Sequence, residues 1–217
     1  MLGLFDSGSG GLNTVRYVKE LSDEVDLVYL IDRERAPYGI KTEKELIEIT
    51  EGNIKRLTDM GACRVLIACC TASTVYPLLS DECKALSIPI IDAVAKEAKK
   101  ATLLGRIGVI ATAHTVSSHA FKNALTGCKV SELATPELVG MIDGGLSDST
   151  VDECTEKRIE NIVRPVFESR IDTLILGCTH FPALKGTLAK IASKYGVKHV
   201  IDSARIGAEL LIDAAKT

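Results

Sequence analysis

The sequence predicts an α/β fold of two pseudo-symmetric halves, each with a mainly parallel sheet and helices on both faces. Short apolar runs alternate along the chain with segments whose apolar residues recur at helical spacing, which is typical of parallel sheets with helical connections. Residues 2–7 are echoed by 107–112, and the apolar run that ends at Cys69 is echoed at nearly the same offset by the run that ends at Cys178. Two independent matches at nearly the same offset indicate an internal duplication.

Composition and charge limit the classes of function. A chain of 217 residues with 46% hydrophobic residues can bury a substantial core. The formal charge of -3 is spread along the chain without a basic patch, so we expect no nucleic-acid partner. No leader pattern and no membrane-spanning apolar stretch is present, so we expect a cytoplasmic protein without a membrane partner. Seven cysteines without a C-x-x-C motif predict reduced thiols and no metal site.

The first strand, predicted at Leu2–Phe5, leads into a glycine-rich turn at 6–11 and a helix at 12–21. Such a corner can bind a carboxylate or phosphate, because glycines let backbone N–H groups approach an anion closely. A dinucleotide site is not favoured even though Asp32 ends the next strand, because Asn13 stands where that motif needs its third glycine. A P-loop is excluded because no Gly-Lys-Ser/Thr follows.

The other elements follow from the same signals. The turn at 37–39 precedes a helix that begins near Thr42, with Glu45 as its capping-box partner. Pro77 is expected in the first turn of a later helix. The further predicted strands are 27–31, 65–68, 89–91, 107–112, 130–133, 174–177 and 199–201. The further predicted helices are 45–60, 74–86, 93–104, 116–125, 136–142, 151–168, 183–195 and a closing helix from residue 204.

The boundary between the halves is predicted at residue 96, so that residues 1–96 carry Cys69 and 97–217 carry Cys178, with the closing helix free to pack back on the first half. Open α/β sheets bind ligands at the carboxyl ends of their strands, so one thiol from each half would face an active site in the cleft between them. Racemisation of a carbon acid needs one base that removes a proton and a partner that delivers another from the opposite face. A thiol can serve in both roles.

Two interpretations of the cysteines compete. Helix signals follow both Cys69 and Cys178, and free N–H groups at a helix N-terminus stabilise a thiolate, so lowered thiol pKa values are expected. The alternative is that both are ordinary core thiols. The duplication, the hydroxyl side chains that follow each thiol and the adjacent His180 favour a functional role.

Five short motifs follow one another along the chain. They are DSGSGGL at 6–12, PYG at 37–39, ACCTAS at 68–73, TAHT at 112–115 and GCTHFP at 177–182. Through these motifs the chain resembles the glutamate racemases of the cofactor-independent Asp/Glu racemase superfamily over nearly its whole length.

The resemblance implies a two-base mechanism in which Cys69 and Cys178 exchange the Cα proton of an amino acid, with no cofactor and no metal. It further implies that Asp6, Asp143 and His180 orient a cysteine or tune its basicity. The substrate would be a small amino acid, glutamate in the first place. Its implied binding residues are Asp6, Ser7, Tyr38, Gly39, Cys70, Thr71, Thr112, Thr115, Thr179 and His180.

Three positions depart from the pattern of the family. Cys70 stands where the family motif has asparagine, Asp143 stands where it usually has glutamate, and His114 lies in an unusual version of the 112–115 loop. In addition, Cys70-Thr71 matches the second cysteine motif better than Cys69 does. The internal comparison therefore leaves two registers open, and the family pattern favours Cys69.

Three functions are consistent with the sequence. The first is a glutamate racemase that supplies D-glutamate, which in bacteria would feed peptidoglycan and so maintain cell shape. The second is a racemase or related enzyme of the same superfamily acting on aspartate or another carbon acid. The third is a catalytically weak binding or regulatory homologue. The sequence leaves the oligomeric state open, with a homodimer as one option.

Overall fold

The computed structural model describes residues 1–22 and 24–216. Within these residues the chain divides into two compact units. One unit contains Met1–Ile91 and the closing segment from Ala204, and the other contains Asp92–Ser203. The division therefore falls a few residues before the predicted boundary at 96.

In the described part of the chain each unit holds a four-stranded sheet. The strands are β1 (Leu2–Asp6), β2 (Leu27–Ile31), β3 (Arg64–Ile67), β4 (Ser87–Pro89), β5 (Arg106–Ala111), β6 (Lys129–Ala134), β7 (Thr173–Gly177) and β8 (His199–Asp202). The helices are α1 (Leu12–Leu21), α2 (Glu43–Asp59), α3 (Cys70–Ser73), α4 (Asp81–Leu86), α5 (Ile90–Ala101), α6 (Ala113–Ser117), α7 (Ala120–Ala124), α8 (Pro136–Asp143), α9 (Glu153–Phe167), α10 (Lys185–Lys194) and α11 (Ser203–Ala215).

The two sheets have the same topology. The strand orders are β2-β1-β3-β4 and β6-β5-β7-β8, and every pairing is parallel. The central strands β1 and β5 carry Gly3 and Gly108 at corresponding positions, and a Cβ at either would press on a neighbouring side chain. The prediction of two α/β halves with parallel sheets is therefore confirmed, and the shared topology explains the internal echo in the sequence.

Helices cover both faces of the first sheet. Val65 and Ile67 of β3 belong to a buried cluster with Leu46 and Leu57 of α2. Leu66 points the opposite way and lies under α11, where a Cβ on Gly207 would approach it to 3.1 Å. The strand is therefore buried on both faces, as parallel sheets require.

The second unit has its own core. Leu174 and Leu176 of β7 pack in a cluster with Ile159 and Val163 of α9 and with residues of α8 and α10. All five residues of β7 are buried. The strands β3 and β7, which precede Cys69 and Cys178, are thus buried inner strands of their sheets.

The long helix predicted at 74–86 is wrong. The chain instead forms the short helix α3, a 3-10 turn at Tyr76–Leu78 and the separate helix α4. Pro77 cannot donate an intrahelical hydrogen bond, and Ser80 starts a new helix by accepting a hydrogen bond from the N–H of Cys83. The strand predicted at 89–91 is shifted to Ser87–Pro89, because α5 already begins at Ile90.

The single helix predicted at 116–125 is also wrong. It is divided into α6 and α7 by His119, whose φ of 53° is in the left-handed region and interrupts helical geometry. The capping box predicted for Thr42 and Glu45 is confirmed, with both reciprocal hydrogen bonds present. The helix predicted at 151–168 is confirmed as α9, whose N-cap Asp152 accepts a hydrogen bond from the N–H of Thr155.

Two further findings concern the described residues, 1–22 and 24–216. None of their helices combines the length and apolar character needed to cross a bilayer. All seven cysteines of the chain lie in this part and are free thiols.

Candidate active site

The glycine-rich turn after β1 is organised by Asp6, the last residue of that strand. Its buried carboxylate accepts hydrogen bonds from the N–H groups of Gly11 at 3.0 Å and Gly8 at 3.3 Å. Tyr29 donates its hydroxyl to the carbonyl oxygen of Gly8 at 2.8 Å, and a Cβ on Gly11 would lie 2.7 Å from that hydroxyl. Two N–H groups of the expected anion-binding corner therefore bind the carboxylate of the protein itself.

Cys69 follows β3 beside this turn. The N–H of Ala68 donates to the carbonyl of Phe5 at 3.2 Å, which extends the pairing with β1 almost to the cysteine. The buried thiol of Cys69 donates to the hydroxyl of Ser7 at 3.6 Å. The predicted site residues Asp6, Ser7 and Cys69 thus lie together at the carboxyl edge of the first sheet.

The expectation of a lowered pKa for Cys69 is wrong. Burial, and after it the Asp6 carboxylate, raise the pKa of Cys69 to about 11. Hydrogen bonds from the N–H of Ala72 and from Ser7 favour the thiolate, as the helix N-terminus argument supposes, but they are outweighed. Cys69 is therefore a protonated thiol at neutral pH.

The next residues of the first unit are firmly held. Cys70 and Thr71 are buried at the start of α3, directly after Cys69. Ser73 fixes this short helix, since its hydroxyl donates to the carbonyl of Ile67 at 3.0 Å and accepts from the N–H of Ile90 at 3.1 Å. Cys70 therefore lies in a short helix that hydrogen bonds of Ser73 hold in place.

Tyr38 and Gly39 lie in a 3-10 turn, Tyr38–Ile40, which packs against α3. Tyr38 is buried and Gly39 is half-buried. The hydroxyl of Tyr38 donates to the carboxylate of Asp32, at the end of β2. The Tyr38 hydroxyl therefore points into its own unit, where it binds Asp32.

In the second unit, Thr112 and Thr115 form a hydroxyl pair at the start of α6. Thr112 is the N-cap and accepts the N–H of Thr115 at 3.3 Å, and the two hydroxyl oxygens are 2.9 Å apart. Thr112 follows β5 directly, so this pair lies at the carboxyl edge of the second sheet.

Cys178 follows β7 at the same edge and begins a chain of three predicted site residues. Its Sγ lies 3.6 Å from Nδ1 of His180, and Nε2 of His180 lies 3.2 Å from Oδ1 of Asp143. Cys178 and His180 are buried, whereas 56% of the Asp143 side chain is exposed. The imidazole therefore joins a buried thiol to a carboxylate that solvent can reach. Thr179, between the two, is also buried.

The strand registers resolve which cysteine of the first unit corresponds to Cys178. Leu4 pairs with Leu66, and at the corresponding positions Val109 pairs with Ile175. Cys69 lies three residues after Leu66, and Cys178 lies three residues after Ile175. The structural register thus equates Cys69, and not Cys70, with Cys178.

A buried polar group around Asp32, which also contains Arg35 and Asn53, was not predicted from the sequence. A signal was available, because Asn53 interrupts the apolar stripe of α2 between Ile49 and Leu57. Among the described residues no cluster of three or more His, Cys, Asp or Glu side chains is arranged to hold a metal ion.

Each half of this duplicated α/β protein carries a buried thiol after the same strand, at the sheet edge where open α/β folds bind their ligands. The chain belongs to the Asp/Glu/hydantoin racemase family, whose model matches residues 13–211. A glutamate racemase of Aquifex aeolicus is 36% identical to it over 99% of this chain and 83% of that relative. The resemblance inferred from the five motifs is therefore confirmed.

Solved structures agree with the family assignment. A glutamate racemase isoform of Bacillus anthracis superposes with a TM-score of 0.88 at 29% identity, covering 100% of this chain and 81% of that chain. A glutamate racemase of Francisella tularensis, solved in complex with D-glutamate, gives a TM-score of 0.86 at 28% identity, covering 99% of this chain and 80% of that chain.

Proposed function

We propose that this chain is a glutamate racemase that interconverts L- and D-glutamate by two-base proton transfer at Cα, without a cofactor. Relatives at about one-third identity carry that activity in their names, and the Francisella structure holds D-glutamate. The observation that carries the proposal is the equivalence of Cys69 and Cys178 at the carboxyl ends of corresponding strands. Equivalent groups are what a reaction needs when it treats the two faces of one carbon in the same way.

In the proposed mechanism, the thiolate of one cysteine removes the Cα proton and the thiol of the other delivers a proton to the opposite face. The raised pKa of Cys69 makes it a proton donor in the resting protein. For Cys69 to act as the base, the ammonium group of the substrate must stabilise its thiolate. Cys178 has the imidazole of His180 within 3.6 Å, and Asp143 orients that imidazole, so a proton can pass between thiol and ring.

Substrate binding is proposed for the polar groups near the two thiols. Ser7, Thr71, Thr112, Thr115 and Thr179 offer hydroxyls suited to a small zwitterion, Asp6 offers a carboxylate and His180 offers ring nitrogens. Tyr38 and Gly39 border the first thiol. Cys70 is proposed as a substrate-binding residue next to Cys69 and not as a third base.

A second candidate is favoured by Cys70 itself. A thiol is a weaker hydrogen-bond donor and acceptor than the amide that the family motif has at this position. Racemisation of aspartate or another carbon acid is therefore the alternative substrate assignment. A homologue that binds an amino acid without turnover is the third.

The experiment that separates these candidates is incubation of the pure protein in D2O with single L- and D-amino acids, followed by chiral analysis and mass spectrometry. Solvent deuterium at Cα in both enantiomers of glutamate is the expected result. Deuterium only with aspartate favours the second candidate. Binding detected by calorimetry without any exchange favours the third.

Cysteine variants test the two bases. Cys69→Ser and Cys178→Ser should each lower racemisation by roughly a thousandfold or more, because a hydroxyl is far too weak an acid to replace a thiol. Cys63→Ser and Cys128→Ser are matched controls, since these free thiols lie outside the proposed site, and they should retain activity. Normal turnover in either catalytic variant would refute the two-base assignment.

The cellular setting is proposed on the same basis. A glutamate racemase would supply D-glutamate for peptidoglycan and act in the cytoplasm. Sedimentation analysis with and without glutamate would establish whether the protein forms a homodimer.

A further inference from the structure

Four polar side chains form a closed hydrogen-bonded group in the first unit. The carboxylate of Asp32 accepts from the Tyr38 hydroxyl, from Nε of Arg35 at 3.0 Å and from Nδ2 of Asn53 at 3.2 Å. Asn53 also donates to the Tyr38 oxygen at 3.0 Å and accepts from Nη2 of Arg35 at 2.6 Å. Each member therefore binds at least two of the others.

The group is buried and its protonation is fixed. Asp32, Tyr38 and Asn53 are nearly inaccessible to solvent, and Arg35 closes the outer side. Burial alone would raise the pKa of Asp32, but hydrogen bonds from Tyr38, Arg35 and Asn53 outweigh it and hold that pKa below its ordinary value. Burial and the Asp32 carboxylate raise the pKa of Tyr38. A charged acceptor thus faces a protonated phenol.

This group reaches the first thiol through the turn Tyr38–Ile40. Tyr38 and Cys69 belong to the same buried cluster, and the turn packs against α3, which begins directly after Cys69. The Tyr38 phenol points into the group, and Gly39, the next residue of the turn, is half-buried.

We propose that Asp32, Arg35 and Asn53 are positioning residues. They hold the turn Tyr38–Ile40 against Cys69 and α3, so that the main chain of this turn binds the substrate. The phenol of Tyr38 is the anchor by which they hold it. This inference rests on the proposed function, since it assigns a role within the same site.

The test compares two buried aspartates. Asp32→Asn places an amide N–H2 among donors and removes the charge that Arg35 pairs with. Asp172→Asn is the matched control, because Asp172 is equally buried and accepts from Thr102, Leu103 and Leu104, but lies at the opposite end of β7 from Cys178. Both variants should unfold at lower urea concentration than the wild type.

Only Asp32→Asn should weaken substrate binding. We expect its KM for glutamate to rise roughly tenfold, while kcat stays within about threefold, because the lost interaction positions a binding element and not a base. In Asp172→Asn, KM should stay at the wild-type value. Equal KM changes in the two variants, or an unchanged KM in Asp32→Asn, would overturn the inference.

Two further measurements complete the test. Tyr38→Phe should raise KM, and Asp32→Asn combined with Tyr38→Phe should be no worse than Asp32→Asn alone, since both changes release one anchor. Additive effects of the two changes on KM would contradict this role for Tyr38, and Tyr38→Phe also serves if Asp32→Asn does not fold.

The rate of Cys69 alkylation by iodoacetamide does not depend on turnover. It should rise at least about fivefold in Asp32→Asn and not in Asp172→Asn, because release of Tyr38 loosens the buried cluster that this side chain shares with Cys69. If the wild type fails to racemise glutamate, the proposed function fails while this measurement still decides the positioning role. An unchanged alkylation rate in Asp32→Asn would refute that role.

Discussion

The carboxylate of Asp6 should control the ionisation of Cys69, and removing its charge is the most direct test of the first half of the site. Burial is the largest cause of the raised pKa of Cys69 and the Asp6 carboxylate is the next. In Asp6→Asn the amide oxygen can still accept from the N–H groups of Gly8 and Gly11. The substitution therefore removes a charge and keeps the glycine-rich turn.

The expected magnitude follows from the size of the rise. With a pKa of about 11, roughly one Cys69 thiol in 10⁴ is ionised at pH 7. The charge accounts for less than burial does, so we expect the pKa in Asp6→Asn to fall by about one pH unit and the thiolate fraction to rise ~10-fold. The pKa should remain above the ordinary thiol value, because Cys69 stays buried.

The assay is the rate of Cys69 alkylation, followed by mass spectrometry of the Cys69 peptide from about pH 7 to about pH 11. The midpoint of the pH profile is compared, since it is less sensitive than the absolute rate to changes in access. Asp59→Asn, an exposed charge at the end of α2, is the control and should leave the midpoint unchanged. A midpoint in Asp6→Asn that equals or exceeds the wild-type value would refute the reasoning.

Three more predictions concern the second thiol, the pocket and the scaffold. His180→Asn should reduce kcat for glutamate by roughly a hundredfold and Asp143→Asn by about tenfold or less, because the half-exposed carboxylate acts only through the ring; equal losses in steady-state assays would argue against this order. Cys70→Asn should raise kcat/KM for glutamate about tenfold, whereas Cys70→Ala should be nearly neutral; loss of Cα-deuterium exchange in Cys70→Ala would identify Cys70 as a base. Gly177→Ala should lower the free energy of unfolding in urea by about 1–3 kcal/mol, since its Cβ would lie 2.9 Å from the carbonyl oxygen of Ile110, and an unchanged midpoint would contradict this packing.

The alternation of strands and helices could be predicted because it depends on local periodicity. Buried parallel strands such as β7 are short continuous apolar runs, and the capping box at Thr42 and Glu45 is a local interaction within four residues. The duplication was visible because each half needs glycine at the same close approach, as at Gly3 and Gly108.

The errors in the fold have local causes that a periodic pattern does not contain. The apolar spacing of residues 74–86 fits one helix, but Pro77 and the competing N-cap Ser80 divide it. The break at His119 arises from a left-handed backbone conformation, which no residue type other than glycine indicates strongly.

For the candidate site, the sequence by itself determined which residue types follow the two cysteine strands, and hence the family and the reaction class to be tested. Only the tertiary structure decided their partners. It equated Cys69 with Cys178 through the strand registers, joined Cys178 to Asp143 through His180, and turned the phenol of Tyr38 into the core. It also reversed the expected pKa of Cys69, because burial and a neighbouring charge depend on groups distant in sequence, whereas the helix N-terminus is a local feature.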